Sequence, residues 1–432
     1  MIIRPTRSIK GEVELPGDKS ISHRAALIAS IADGETWIEN YSASEDCAST
    51  LECLSQLGVD VRREGKHLRI SGLGKTGYQR PAAPLNCGNS GTTMRLLAGV
   101  LAGQPFDSVL TGDESLSRRP MKRVIEPLAA MGTRIDSDGG RAPLRIFGRH
   151  PLDAVRYELP VASAQIKSCI LLAGLNAKGN TSVVESAPTR DHTERMLRWF
   201  GADVYENRVA ANRVLTVSGS SVPKADGELR IPCDISASAF FIVAAACLPG
   251  SDIRMKNVGL NPGRAAVLDM VRELGVTVSL SGEAEHNNEP VGDISVSGGL
   301  QRQQTREISG QVVANLIDEI PILAVLGTRL EYGLEVRDAD ELRVKESDRI
   351  AAVVENLRRM GAEVDEFPDG FRVRRSQLTG ARVDSFGDHR IAMAFAVAGL
   401  LAEGETIIDG AECAGVSFPG FFEVLANVAI YE

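Results

Sequence analysis

Apolar residues fall along this chain in two alternating rhythms. In the first, a stretch with one apolar face at helical period ends in a hydrophobe and a glycine, then enters a short β stretch. It recurs as "TLECLSQLGVDV", "RVIEPLAAMGTRI", "TERMLRWFGADV", "AVLDMVRELGVTV" and "VVENLRRMGAEV". The glycines are Gly58, Gly132, Gly201, Gly275 and Gly361, separated by 74, 69, 74 and 86 residues, and one sixth of the 432-residue chain is 72. Glycine just beyond a helix adopts the left-handed conformation that lets the helix stop and a strand begin. A degenerate sixth copy without its glycine, "FFEVLANVAIYE", closes the chain.

The second rhythm interleaves with the first. Nearly all-apolar, small-residue stretches end at a polar turn and run into an alternating strand: "RAALIASIADGETWIEN", "TMRLLAGVLAGQPFDSVLTG", "IKSCILLAGLNAKGNTSVVES", "SAFFIVAAACLPGSDIRMKNV", "IPILAVLGTRLEYGLEV" and "RIAMAFAVAGLLAEGETIIDG". A helix apolar on all sides belongs inside a domain. Six strand–helix–strand–helix units, divided three and three, predict an α/β chain of two similar domains with buried central helices. An ordinary doubly wound sheet with glycine-ended helices is the alternative, and it does not account for the shared spacing. Strand order is not contained in the pattern.

Each apolar helix opens on a polar mouth. The mouths read Lys19-Ser20-Ile21-Ser22-His23-Arg24, Asn89-Ser90-Gly91-Thr92-Thr93-Met94-Arg95, Ser163-Ala164-Gln165-Ile166-Lys167, Asp234-Ile235-Ser236-Ala237-Ser238, Asp318-Glu319-Ile320-Pro321 and Gly387-Asp388-His389-Arg390. Capping explains the serines and aspartates. It does not explain Lys19, Arg24, Arg95, Lys167 or Arg390, because a cation opposes the helix dipole there by about 0.3–1 kcal/mol. Backbone N–H groups beside basic side chains make an anion site, so the mouths predict a polyanionic small molecule as ligand. "DESLSRRPMKR" adds Arg118 and Arg119, and "ELRVKESDRI" sets Lys345, Glu346 and Arg349 together.

Composition narrows the field. The length exceeds one ordinary core and argues for two domains. A net charge of −9 with pI near 5.4 speaks against a nucleic-acid binder and requires anions to be attracted locally. No apolar run reaches the roughly 18 residues of a membrane span, and the N-terminus lacks the pattern of an export signal. A cytoplasmic protein with reduced thiols is expected, since its seven cysteines are scattered with no C-x-x-C pair. "GDKS" and "GLGKT" lack the earlier glycine of a P-loop, and no dinucleotide-binding or H-E-x-x-H motif is present. Neither cofactor nor metal is expected.

Eight stretches, in order, carry a resemblance to a known family: "LPGDKSISHR", "NCGNSGTTMRL", "TGDESLSRRPM", "SAQIKS", "TRDHTERM", "LIDEIP", "LRVKESDRI" and "GDHRIAMAFA". Together they resemble the 5-enolpyruvylshikimate-3-phosphate synthases over essentially the whole chain. "SAQIKS", "TRDHTE" and "KESDR" are more similar to the glyphosate-tolerant bacterial branch (class II) than to the enteric and plant branch. The resemblance implies an inverse α/β barrel fold of two domains, each of three βαβαββ units. Crossings near Asp18 and Cys233–Asp234 would give one domain of residues 19–233 and another of 1–18 plus 234–432. It implies transfer of the enolpyruvyl group of phosphoenolpyruvate to shikimate 3-phosphate, with a monomer expected.

By the same resemblance, shikimate 3-phosphate would meet Lys19, Ser20, Arg24, Ser163, Ala164, Gln165, Arg190, Asp318 and Lys345. Phosphoenolpyruvate would meet Lys19, Gly91, Arg119, Gln165, Arg349 and Arg390. Asp318 and Glu346 would handle protons, Lys19 would neutralise the leaving phosphate, and His389 would support Glu346. Val416 stands where the enteric and plant members carry a lysine. Gly91, with Leu96 nearby, leaves room where some tolerant members carry alanine, so a glyphosate-inhibitable enzyme is expected. Two alternatives stay open: a UDP-N-acetylglucosamine enolpyruvyl transferase, or a non-catalytic anion-binding relic of the same fold.

Overall fold

Both rhythms become helix in the computed structural model, which describes every residue except Asp226 and Glu432. The one-faced stretches form the helices Glu45–Gln56, Lys122–Ala130, His192–Trp199, Ala266–Glu273, Arg349–Arg359 and Phe421–Val428. Five are followed by the predicted glycine, with φ between +73° and +93°. After the first, the Gly58 N–H bonds to the Ser55 carbonyl at 3.0 Å and the Val59 N–H to Leu54 at 3.1 Å. That paired closure satisfies two otherwise orphaned carbonyls. It recurs at Gly132, Gly201 and Gly361. The sixth helix has no glycine and passes directly into extended backbone at Ala429.

The apolar stretches form Lys19–Ile31, Gly91–Ala102, Ala164–Gly174, Ile235–Cys247, Ile320–Gly327 and His389–Leu401. The last three bury every residue. Small side chains let these helices approach closely. A Cβ added at Gly99 would lie 2.3 Å from the Cys169 carbonyl oxygen, so the Gly91–Ala102 and Ala164–Gly174 helices meet backbone to backbone there.

Around the central helices one sheet pattern repeats. A short strand pairs parallel with a second, which pairs antiparallel with a third, which pairs antiparallel with a fourth. Leu85–Asn86, Asp107–Thr111, Arg141–Phe147 and Arg134–Asp138 follow it. So do Arg156–Glu158, Asn180–Glu185, Asn212–Ser218 and Val204–Val209, and Glu307–Ile308, Leu334–Val336, Gly370–Val373 and Val364–Phe367. Two further sheets take their parallel strand from far away in sequence. Asp33–Glu39 pairs with Glu228–Arg230, and Asp252–Gly259 with Ser8–Glu12. The sixth sheet stops at three strands, Arg382–Asp384, Thr406–Asp409 and Ile2–Ile3, because Ala429–Ile430 pairs with Ser8–Glu12 instead.

The chain forms two compact units. One comprises residues 1–16, 232–284 and 290–432, the other 17–231 with 285–289. Each has its own hydrophobic core built on three of the central helices. Among the described residues, no helix is long and apolar enough to cross a membrane.

Candidate active site

In the unit containing residues 17–231, three helix mouths carry the predicted chemistry. Asp18, Ser90 and Ser163 cap them, accepting the N–H groups of Ile21, Thr93 and Ile166 at 2.8, 3.1 and 3.4 Å. Ser20 and Ala164 fall in the first turns that follow. Lys19 Nζ lies 2.9 Å from Asp46 Oδ2. The buried Arg24 donates to Thr193 Oγ1 at 2.7 Å, to the Ser20 carbonyl at 2.8 Å and to Ser168 Oγ at 2.9 Å. Burial lowers its pKa to about 10 and the charge of Arg190 pushes the same way, against Glu194 and Asp18. Arg190 itself is half-buried, just ahead of the His192–Trp199 helix.

The glycine mouth is built around two guanidinium groups. Arg119 donates to the Asn89 carbonyl at 3.2 Å and to Asn89 Oδ1 at 2.6 Å. Arg95 donates to Gln165 Oε1 at 2.9 Å, and Gln165 donates to Thr92 Oγ1 at 3.0 Å. A Cβ on Gly91 would stand 2.7 Å from Arg95 Nη1 and 3.4 Å from Arg119 Nη1. Both guanidinium groups thus crowd Gly91, and a residue without a Cβ lets Arg95 stay beside Gln165.

Lys167 corrects the sequence reading. Its side chain is fully buried, with Nζ 2.7 Å from Glu194 and 3.1 Å from Glu185. Two acids on neighbouring elements already neutralise it, so it does not serve as an anion receptor at the mouth.

The other unit gathers its chemistry on Arg349. This buried guanidinium meets Asp388 at 2.8 Å, Glu346 Oε2 at 2.7 Å and Asp318 Oδ1 at 3.5 Å. Burial works against its charge, but Asp388, Glu346 and Asp318 outweigh burial and hold its pKa above the ordinary value. Arg390 donates to the Asp318 carbonyl at 2.9 Å, with Nε 3.6 Å from Asp318 Oδ1. Asp388 also caps its helix by accepting the Arg390 N–H at 2.9 Å, and the buried His389 follows it. Lys345 has its pKa lowered, chiefly by burial and further by Arg349, with Asp318 opposing. Val416, the neutral replacement, ends the short turn Ala411–Val416 and is half-buried.

Asp318 and Glu346 thus share one guanidinium, while Arg390 approaches Asp318 and, at 4.0 Å, Glu319. Two carboxylates in unequal surroundings suit opposite duties in proton transfer.

Several residues went unassigned in the sequence reading. Asp46, which the sequence did not single out, and Asp388, seen only as part of a helix mouth, neutralise Lys19 and Arg349. His23 hides inside a signature; its Nδ1 lies 2.7 Å from Thr50 Oγ1, which lies 2.7 Å from Thr93 Oγ1. Thr93 in turn donates to Ser90 Oγ at 2.8 Å, so a hydrogen-bonded line joins two helix mouths. Burial, then Lys19 and Arg24, hold the His23 pKa well below 6.5. Only the acid or basic residue type was visible beforehand, because the partners come from other helices.

Comparison with known proteins identifies the family. The profile of the EPSP synthase (3-phosphoshikimate 1-carboxyvinyltransferase) family matches residues 3–425. A 3-phosphoshikimate 1-carboxyvinyltransferase of Solibacter usitatus is 49% identical over 430 residues, covering 99% of each chain. One from Coxiella burnetii is 45% identical over 428 residues, covering 99% of this chain and 96% of its own. The structure of EPSP synthase from Acinetobacter baumannii superposes with a TM-score of 0.87 at 39% identity, covering 100% of this chain and 98% of the other. The repeated sheets, the carboxylates gathered on Arg349 and a family match running nearly end to end agree: the chain belongs to the EPSP synthase family.

Proposed function

We propose that this 3-phosphoshikimate 1-carboxyvinyltransferase performs its transfer with Asp318 and Glu346 as its two proton-handling groups. Asp318 takes the proton from the 5-hydroxyl of shikimate 3-phosphate as that oxygen attacks C2 of phosphoenolpyruvate. Glu346 delivers a proton to the methylene carbon, giving a tetrahedral ketal. Glu346 then removes a proton from the same carbon while the C2–O bond to phosphate breaks. Lys19 neutralises the departing phosphate, and His389 supports Glu346 from beside Asp388. The observation that carries this reading is the placement of Asp318 and Glu346 on Arg349, at 3.5 and 2.7 Å.

Shikimate 3-phosphate is held by Lys19, Ser20, Arg24, Ser163, Ala164, Gln165, Arg190, Asp318 and Lys345. Phosphoenolpyruvate is held by Lys19, Gly91, Arg119, Gln165, Arg349 and Arg390. Arginine suits these tasks because its planar fork meets carboxylate and phosphate oxygens in pairs. The crowding of Gly91 by Arg95 and Arg119 supports its place in the donor set, and glycine rather than alanine there supports an enzyme that glyphosate inhibits. The domains run 19–233 and 1–18 plus 234–432; the compact units, changing at residues 16–17 and 231–232, support crossings in that neighbourhood. The signatures "SAQIKS", "TRDHTE" and "KESDR" support the class II branch. A separate core in each unit supports a working monomer, and a cytoplasmic setting fits the reduced cysteines.

The test is phosphate release from phosphoenolpyruvate, with shikimate 3-phosphate or UDP-N-acetylglucosamine as acceptor. Release only with shikimate 3-phosphate is expected. Asp318→Ala and Glu346→Gln should each lower kcat by 10²–10⁴-fold, the usual contribution of a positioned acid or base. Full activity in either variant would remove that residue from its role.

A further inference from the structure

Lys167 is a fully buried cation with no place in the proposed substrate set, and its surroundings are specific. It lies one turn into the Ala164–Gly174 helix and reaches both ends of the segment 186–191. Glu185, 3.1 Å away, ends the strand Asn180–Glu185. Glu194, 2.7 Å away, lies in the first turn of the His192–Trp199 helix. Nζ also donates to the Thr189 carbonyl at 3.4 Å, in the middle of the segment. The Thr189 hydroxyl donates back to Glu185 Oε1. Arg213 balances the acids, 3.2 Å from Glu185 and 3.6 Å from Glu194.

We propose that Lys167, Glu185 and Thr189 form a positioning clamp that holds Arg190 and Arg24 ready for the phosphorylated acceptor. This rests on the assignment of both arginines to shikimate 3-phosphate. Arg190 directly follows the pinned Thr189. Arg24 is held at Nε by Thr193, the neighbour of Glu194, and at Nη2 by Ser168, the neighbour of Lys167. Ser168 and Thr193 are themselves 2.6 Å apart. Both arginines therefore depend on the elements that the Lys167 ion pairs tie together.

The two guanidinium groups carry like charge and stand close enough for Arg190 to depress the Arg24 pKa. A buried ion cluster contributes little net stability compared with an apolar core, because desolvation offsets its Coulomb energy. Its service here is geometric. With the segment fixed in advance, acceptor binding does not have to order it, and affinity rises by the ordering cost avoided. Such an effect acts on binding in ground and transition states alike, so it moves KM while leaving kcat in place.

Removing Lys167 leaves two buried carboxylates with Arg213 as the cation beside them, so the decisive variant is the milder Thr189→Val, with Thr189→Ser as its conservative control. Each is compared with Lys167→Met and Arg190→Ala in the full chain. The measurements are steady-state kinetics, calorimetric binding of shikimate 3-phosphate, and amide hydrogen exchange over residues 186–191. Thr189→Val should weaken acceptor binding and raise its KM on the order of tenfold, with kcat and the KM for phosphoenolpyruvate within twofold. Exchange over 186–191 should quicken, Thr189→Ser should restore both, and Lys167→Met should act more strongly in the same direction. Unchanged exchange in Thr189→Val overturns the clamp, as does a loss of kcat that accompanies equal changes in both KM values. Arg190→Ala separates the clamp from the assignment beneath it. Raised acceptor KM in Arg190→Ala beside an unchanged one in Thr189→Val keeps the assignment and removes the clamp. Unchanged acceptor KM in Arg190→Ala removes Arg190 from the acceptor site, whatever Thr189→Val does.

Discussion

Gly91 shows how much one missing carbon decides. Alanine there would put its methyl 2.7 Å from Arg95 Nη1, so the guanidinium would have to leave Gln165. The far end of an arginine can swing away, so the cost is the lost hydrogen bond to Gln165, about 1.5 kcal/mol for a charged donor, and about 1.4 kcal/mol is tenfold in affinity. Gly91→Ala should therefore raise the KM for phosphoenolpyruvate on the order of tenfold and weaken glyphosate inhibition at least as much. Unchanged values for both would show that Gly91 and Arg95 do not face the donor. His23 supports a prediction of a different kind. Its native pKa lies well below 6.5, so below that pH the unfolded chain binds the proton more readily. The stability it contributes is present above pH 6.5 and is lost as pH falls toward its native pKa. In His23→Asn, the decline in denaturant midpoint between pH 7 and 5 should be shallower than in the parent enzyme.

Helix packing at Gly99 sets two element-scale effects against each other. Alanine improves helix propensity by about 1 kcal/mol over glycine. Its methyl would nevertheless fall 2.3 Å from a backbone carbonyl of the neighbouring helix, and backbone cannot swing aside as a side chain can. Steric conflict wins, so Gly99→Ala should destabilise the enzyme by about 1–3 kcal/mol in urea unfolding. What the sequence reveals follows the same division between local and distant causes. The helix-ending glycines were legible because the left-handed turn is a property of five or six consecutive residues, and all five predicted positions adopt it. Apolar helices were legible because burial on every side leaves no polar stripe. The pairing of Asp33–Glu39 with Glu228–Arg230 was not, since nothing near either strand encodes the other. Lys167 was misread for a related reason: the pattern exposes a cation at a helix mouth, but not Glu185 and Glu194, which neutralise it from other elements.

At the scale of the whole chain, binding should appear as stability. A ligand held only by the folded state adds about 2.7 kcal/mol at a hundred times its dissociation constant. Shikimate 3-phosphate at that excess should raise the thermal midpoint clearly, and Arg24→Ala should abolish most of the rise. The continuous run 17–231 forms most of one unit, yet it ends with segment 285–289 missing. That segment supplies Glu289, 2.8 Å from His192, and Asn288, whose carbonyl accepts from Arg195 at 2.8 Å. A fragment ending at residue 231 should therefore unfold at lower urea than one extended past residue 289, although it owns all three central helices of its core.

The strand pairings at the chain ends also bear on how the enzyme is made. Ile2–Ile3 waits for Thr406–Asp409, and Ser8–Glu12 for both Asp252–Gly259 and Ala429–Ile430. Ile2–Ile3 is thus made long before its partner, while 17–231 can close its sheets as soon as Glu228–Arg230 has been made. Two early strands therefore wait unpaired while the intervening chain is made, and they finish on strands of their own unit.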